Sequence, residues 1–297
     1  MPDPALKTAD APTIPRSGLF TLPPVMRGTA CEGCGALPVA DLLVGTLGTR
    51  IAVVCPASCA ATFSLSYAGS SWKVPFVHWI FESAPAMASG LRRAYDARGL
   101  TDVHVVCFAG DAGTLDIGFQ ALSGAAARNE NIIYICYDNQ VAMNTQGQAT
   151  SGSPPRAWTP TTPGGVSALQ KDGPRIMAAH GVPYVATAAV SHLEDYRRKL
   201  RRAARIRGFR YLHVLSPCPI AWGYPHRETL EVARAAVETG LWKLYEVEDG
   251  RMRLTYRPRR RRPLRDYVAL QRRFAGLRPR EVQVLQRRVD ASWRAPR

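Results

Sequence analysis

The longest apolar runs in this chain are strand-sized, and stretches with helical periodicity separate them. Residues 103–108 (VHVVCF) and 132–137 (IIYICY) are nearly continuous apolar segments, the pattern of strands buried on both faces. Between them Leu115, Phe119, Leu122 and Ala126 recur at helical spacing and mark one helix face. Two buried strands joined by a helix form a βαβ unit and therefore a parallel sheet. Further strands are predicted over residues 49–54, 184–188 and 211–215. A helix is predicted over residues 83–97, with Ser83 as N-cap, Pro85 in the first turn and Gly99 beyond the end. Another runs over residues 228–239 and stops at Gly240. Ser191 followed by Glu194 reads as a capping box, opening a helix whose face is Leu193, Tyr196 and Leu200. No internal repeat interrupts this alternation, which predicts a doubly wound, mostly parallel α/β sheet.

The segments between these elements divide the chain. Residues 1–30 are rich in Pro, Thr and Ala without either period and read as an extended N-terminal arm. The α/β domain spans residues 31–240, and a basic extension, a subunit contact, spans 241–297. Residues 139–165 form a polar stretch too long for an idle connection, so a functional loop is expected there. A content of 46% hydrophobic and 21% charged residues excludes a disordered chain. The net charge of +16 fits either a solvated Arg-rich surface with no specific partner or attraction to an acidic partner, be it nucleic acid, an anionic cofactor or an acidic protein. Arg257, Arg259, Arg260, Arg261 and Arg262 read as a solvated tail or a subunit contact, and no nucleic-acid motif accompanies them. No apolar stretch approaches the length of a membrane span, and no signal-peptide core precedes the domain. The expectation is a cytoplasmic protein.

Two groups of residues carry candidate chemistry. Asp111 ends one strand, in the turn Gly110-Asp111-Ala112-Gly113, and Asn139 ends the next. Ligands of open parallel sheets bind beyond the carboxyl ends of strands. A carboxylate, an amide oxygen and a backbone carbonyl suit Mg²⁺ with a diphosphate, and the turn opens a helix whose free N–H groups favour an anion. Simple turn capping accounts for the same two residues, so both readings stand at this point. Seven cysteines, an odd number in a chain of this size, argue against a disulfide framework and for a metal or redox role. Cys31 and Cys34 form C-x-x-C in CEGCG, Cys55 and Cys59 are the nearest further thiols, and Cys218 lies in SPCPIAWGY. Four thiolates serve Zn²⁺ or a [4Fe–4S] cluster, and spacing alone favours zinc. Cys107 and Cys136 lie inside the apolar runs and read as small buried hydrophobes.

Residues 110–148 (GDAGTLDIGFQALSGAAARNENIIYICYDNQVAMNTQGQ) closely resemble the β subunit of pyruvate:ferredoxin oxidoreductases, within the 2-oxoacid:ferredoxin oxidoreductase family. Residues 72–90 (WKVPFVHWIFESAPAMASG) and 238–274 resemble the same subunit, so the likeness covers most of residues 31–274. The resemblance implies a thiamine-diphosphate-binding fold, with Mg²⁺ held by Asp111, Asn139 and the backbone carbonyl of Val141. It implies cofactor contacts from Gly110, Asp111, Ala112, Gly113, Asn139, Val141, Asn144 and Cys59, with Asn144 the catalytic residue. It implies a [4Fe–4S] cluster on Cys31, Cys34, Cys59 and Cys218. Ala112 replaces the family's second glycine, Ser58-Cys59 replaces its Gly-Cys, and Cys55 is the competing thiol. His78 either faces the cofactor or is a hydrogen-bonded core histidine.

The implied activity is oxidative decarboxylation of a 2-oxoacid, pyruvate from the Tyr137–Thr145 pattern, to acyl-CoA and CO2, with electrons passed to ferredoxin. No ferredoxin-type cysteine run and no second thiamine domain are found, so an α subunit, with γ and δ subunits, is expected as partner. One alternative is the same chemistry on a 2-oxoglutarate, branched-chain, phenylglyoxylate or oxalate-type substrate. An alternative of another class is a basic zinc-binding protein that contacts nucleic acid.

Overall fold

A computed structural model describes residues 30–66 and 69–294, so the arm expected over residues 1–30 lies almost wholly outside the described residues. Eight strands form one sheet: β1 (Ile51–Pro56), β2 (Phe76–Trp79), β3 (His104–Gly110), β4 (Ile133–Asp138), β5 (Tyr184–Ala189), β6 (Arg210–Leu215), β7 (Leu244–Glu248) and β8 (Arg251–Tyr256). Their order across the sheet is β8-β7-β5-β6-β4-β3-β1-β2. The first six are parallel, and β7 and β8 add an antiparallel edge. The doubly wound, mostly parallel sheet read from the sequence is the one that forms. Its continuous apolar runs have a simple cause, since alternate residues enter two separate cores. Val53, Val106, Ile135 and Val214 pack on one face, and Val54, Cys107, Cys136 and Tyr211 on the other.

Helices cover both faces: α1 (Ala36–Leu47), α2 (Cys59–Ser64), α3 (Ala84–Ala97), α4 (Phe119–Ala127), α5 (Gly173–Ala179), α6 (Leu193–Arg205), α7 (Pro219–Trp222), α8 (Thr229–Glu238), α9 (Leu264–Ala269) and α10 (Pro279–Arg294). Helix α3 falls where the sequence puts it, with Ser83 at the N-cap position, but the Ser83 side chain makes no capping bond. Its Oγ instead accepts a bond from Trp79 Nε1 at 3.0 Å. The capping box before α6 does not form either. The helix starts at Leu193 with His192 as N-cap, which leaves Ser191 and Glu194 out of capping register. Ser191 Oγ pairs with His192 Nδ1, and Glu194 pairs with Arg197. Leu193 is exposed, while Tyr196, Leu200 and Ala203 bury the helix against Val39 and Leu43 of α1. Helix α1 itself had no readable period, because it is apolar nearly all round.

The sheet does not stop at residue 240. Strands β7 and β8 extend it, and Leu244, Tyr267 and Phe274 share a third core with Leu215 and Trp222. Part of the arginine run is tied into this region, with Arg261 on Asp290 and Arg262 on Glu231. Among the described residues no helix is long and apolar enough to cross a membrane.

Candidate active site

Strand order assembles the site. Strands β6, β4, β3 and β1 lie side by side, and the loop leaving each carboxyl end delivers one predicted residue: Cys218, Asn139, Asp111 and Cys59. The segment before α1 supplies the other two thiols. Gly35 N donates to Pro217 O at 3.2 Å, and Thr229 Oγ1 donates to Gly33 O at 2.7 Å, which clamps the Cys31–Cys34 turn against the Cys218 loop. Gly33 has φ +73°, and a Cβ there would lie 2.4 Å from the His226 carbonyl oxygen, so the glycine inside C-x-G-C is a backbone requirement.

Asp111 leaves β3 directly into a π-helical turn, Ala112–Asp116, that precedes α4. Such turns recur at functional sites. Asp111 has right-handed dihedrals (φ −60°, ψ −41°), and Ala112 is not among the residues of positive φ. An alanine in place of the family's second glycine is therefore accommodated without backbone strain. The glycine the turn does need is Gly118, where a Cβ would sit 2.0 Å from the Gly113 carbonyl oxygen.

The Asp111 carboxyl is buried and accepts a hydrogen bond from Thr150 Oγ1. Burial pushes its pKa well up, and the neighbouring Asp138 carboxylate pushes it further. Asp138 is itself held: His213 Nε2 lies 2.8 Å from its Oδ2, and Gln140 N donates to its Oδ1 at 2.9 Å. The far side of that imidazole meets Tyr211 Oη at 2.7 Å. Asn139 forms a local turn in which Val141 N donates to Oδ1 at 3.3 Å, while Trp222 Nε1 donates to the Asn139 carbonyl at 2.8 Å. Asn144 is exposed on the 3₁₀ turn Met143–Thr145. Gly110, Asp111, Ala112, Gly113, Asn139, Val141 and Asn144, with Cys59, line one small cavity of about 10 Å³.

Cys31, Cys34, Cys59 and Cys218 line a second cavity of about 150 Å³. Cys59, Asn139, Met143 and Asn144 line both, so the two cavities share a wall. Burial, helped in the same sense by the facing thiols of Cys34, Cys218 and Cys31, raises the Cys59 thiol to about 12. Burial likewise pushes Cys218 up to about 11. Cys55 is not part of this group. It is fully buried in β1, with Sγ 3.7 Å from Ser58 Oγ. Cys107 and Cys136 are fully buried in β3 and β4. His78 is exposed at the end of β2, with Nδ1 3.3 Å from the Cys55 carbonyl oxygen, and it lines neither cavity.

The donor sets fit the groups the sequence suggests. A carboxylate, an amide oxygen and a backbone carbonyl are the hard oxygens that Mg²⁺ takes, and a cation would relieve the crowding of Asp111 and Asp138. Four thiols facing one cavity suit a ligand that displaces their protons. Among the described residues no three His, Cys, Asp or Glu side chains are grouped so as to hold a single metal ion.

Residues 52–214 match the family described as thiamine pyrophosphate enzyme, C-terminal TPP binding domain. The chain is 46% identical over 275 residues to pyruvate synthase subunit PorB of Methanothermobacter thermautotrophicus, covering 91% of this chain and 95% of that one. The chain belongs to the 2-oxoacid:ferredoxin oxidoreductase family of thiamine pyrophosphate enzymes. Ketoisovalerate oxidoreductase subunit VorB of Pyrococcus abyssi is 37% identical over 277 residues, covering 89% of each chain. A structure of 2-oxoglutarate:ferredoxin oxidoreductase from Magnetococcus marinus, with 2-oxoglutarate, coenzyme A and succinyl-CoA bound, superposes with a TM-score of 0.60. It is 25% identical and covers 70% of this chain and 69% of that one. Membership in the oxidoreductase family sets aside a zinc-binding protein that contacts nucleic acid.

Sequence reasoning missed three contributors to this candidate site: Thr150 on Asp111, Trp222 on the Asn139 carbonyl, and His213 on Asp138. Trp222 stands four residues after Cys218, a local signal. Thr150 and His213 carry none, because only the fold brings them to their carboxylates.

Proposed function

We propose that this chain is the thiamine-diphosphate- and [4Fe–4S]-binding β subunit of an enzyme that decarboxylates pyruvate oxidatively, passing the acyl group to coenzyme A and two electrons to ferredoxin. The observation that carries the reading is the shared wall. Cys59, Asn139, Met143 and Asn144 border both the Asp111 cavity and the four-thiol cavity. One-electron transfer requires such closeness.

In this reading Asp111, Asn139 and the Val141 carbonyl hold Mg²⁺ and through it the diphosphate. Thr150 fixes the Asp111 carboxyl, and Trp222 fixes the backbone of Asn139. Asn144, exposed between the two cavities, orients the substrate. Cys31, Cys34, Cys59 and Cys218 hold the cluster. When bound, thiamine diphosphate supplies the carbon nucleophile for the keto group, and the cluster accepts single electrons. Gly110 and Gly113 give the diphosphate room to approach the backbone. A partner α subunit completes the site, consistent with relatives that are named as subunits.

Pyruvate is favoured over a branched-chain 2-oxoacid because the relatives at 41–46% identity are pyruvate synthase subunits, while the ketoisovalerate subunits, at 36–37%, stand level with a more distant pyruvate synthase subunit at 34%. Two measurements test the proposal. An anaerobic absorption spectrum of the co-expressed complex, with iron and sulfide assays, should show a brown cluster on this chain. Coenzyme A-dependent turnover should be fastest with pyruvate among 2-oxoacids. A colourless, zinc-loaded chain overturns the cluster assignment, and a preference for another 2-oxoacid overturns the substrate.

A further inference from the structure

A cleft of about 650 Å³ shares no lining residue with either cavity of the site and is lined by four arginines, Arg156, Arg272, Arg273 and Arg278, with a single carboxylate, Glu281. Glu281 is already shared: its carboxylate meets Arg156 at 2.5 Å and Arg278 at 3.3 Å. Arg272 is exposed and makes no ion pair among the described residues. Arg273 is the unusual member. Its side chain is buried at 3% exposure, with the guanidinium 3.5 Å from the centre of the Trp222 ring. Its Nε donates to Gln271 Oε1 at 2.8 Å and its Nη2 to Tyr267 Oη at 2.9 Å, both neutral acceptors. Asp138 is near enough for its charge to be felt, but no carboxylate among the described residues contacts the guanidinium. A buried cation without a contacting anion is costly, and a guanidinium is built to receive an oxyanion on its remaining donors. Trp158, 46% exposed on the rim, offers a flat apolar face beside this charge.

We infer that this cleft is an oxyanion-binding site, in which Arg273, backed by Trp222 and flanked by Arg272 and Arg278, receives a phosphate or a carboxylate from outside the chain. Two sources share that chemistry: a phosphate of a nucleotide-bearing substrate, and an acidic side chain of a partner subunit. The site communicates with the reaction centre through one residue, because Trp222 also donates to the Asn139 carbonyl. The nucleotide source rests on the proposed coenzyme A-dependent function; the oxyanion site itself does not.

The test uses the co-expressed complex, with its cluster absorbance recorded first so that failure of the functional reading is seen separately. Adenosine 3′,5′-bisphosphate and inorganic phosphate are titrated calorimetrically into the wild type, Arg273→Gln and the exposed double variant Arg272→Gln/Arg278→Gln. Subunit association is measured in parallel by sedimentation. A nucleotide source predicts saturable binding to the wild type that weakens at least tenfold in both variants, with association unchanged. A partner carboxylate predicts no binding to the assembled complex and at least tenfold weaker association in both variants. Should Arg273→Gln fail to fold, the double variant carries the same comparison, since it leaves the buried guanidinium in place. Variants that change neither anion binding nor association overturn the inference.

Discussion

Asp111 is a carboxylate placed where a carboxylate alone is unfavourable: buried, beside Asp138, with a threonine hydroxyl as its donor. Removing that hydroxyl isolates its contribution. Thr150→Val is expected to weaken Mg²⁺ by about 10- to 100-fold, the usual cost of losing an outer partner of a metal ligand. Activity at saturating Mg²⁺ should change far less, which a Mg²⁺ titration of turnover in the complex reads directly. A second comparison separates two thiols four residues apart. Cys59 faces Cys34 and Cys218 across the cavity, whereas Cys55 is sealed inside β1. Cys59→Ser should lose the brown absorbance and most of the iron, and Cys55→Ser should retain both. Equal loss in the two variants would remove the cluster from this cavity.

At the scale of elements, the π-helical turn after β3 shapes the loop proposed to take the diphosphate, and its tightest point is Gly118 against Gly113. Gly118→Ala places a methyl where no room exists, so the turn must shift. The expected cost is about 1–3 kcal/mol of stability, together with lost thiamine diphosphate affinity. Thermal melts with and without cofactor check both effects. The elements also show why sequence reading succeeded unevenly. Strands β1, β3, β4, β5 and β6 are continuous apolar runs bounded by turns, and they are legible to within a few residues. Helix α1 was not legible, because its residues are apolar nearly all round although only one face, Ala36, Val39, Ala40, Leu43 and Val44, is buried. The box at Ser191 and Glu194 misled because a one-residue difference in helix start takes both side chains out of capping register.

For the whole molecule, two half-buried histidines set an expected pH response. Burial lowers the pKa of His104, with Arg210 and Arg92 acting in the same sense, and burial lowers that of His192. The folded chain therefore binds fewer protons than the unfolded one just below the ordinary histidine value. Stability should fall as pH drops through about 6.5 and level off once the folded histidines also protonate. Denaturant midpoints from about pH 7.5 to about pH 5.5 measure this, and His104→Gln should flatten the slope. A slope unchanged by that substitution would assign the response to other groups.

The sequence alone determined the alternation of buried strands and helices, the Asp111 and Asn139 pair at successive strand ends, and the C-x-G-C-G turn. These are local properties, since burial on both faces, a turn and a glycine conformation leave their mark within a few residues. The tertiary structure decided how those pieces meet. Strand β6, not β5, pairs with β4, and this puts the Cys218 loop beside Asn139. The same pairing brings His213 to Asp138, while the end of β1 keeps Cys55 inside the strand and puts Cys59 on the cavity, and the loop after β4 folds back to set Thr150 on Asp111. Strand order in a parallel sheet is set by crossovers that pack over long sequence separations, and no stretch of residues records it.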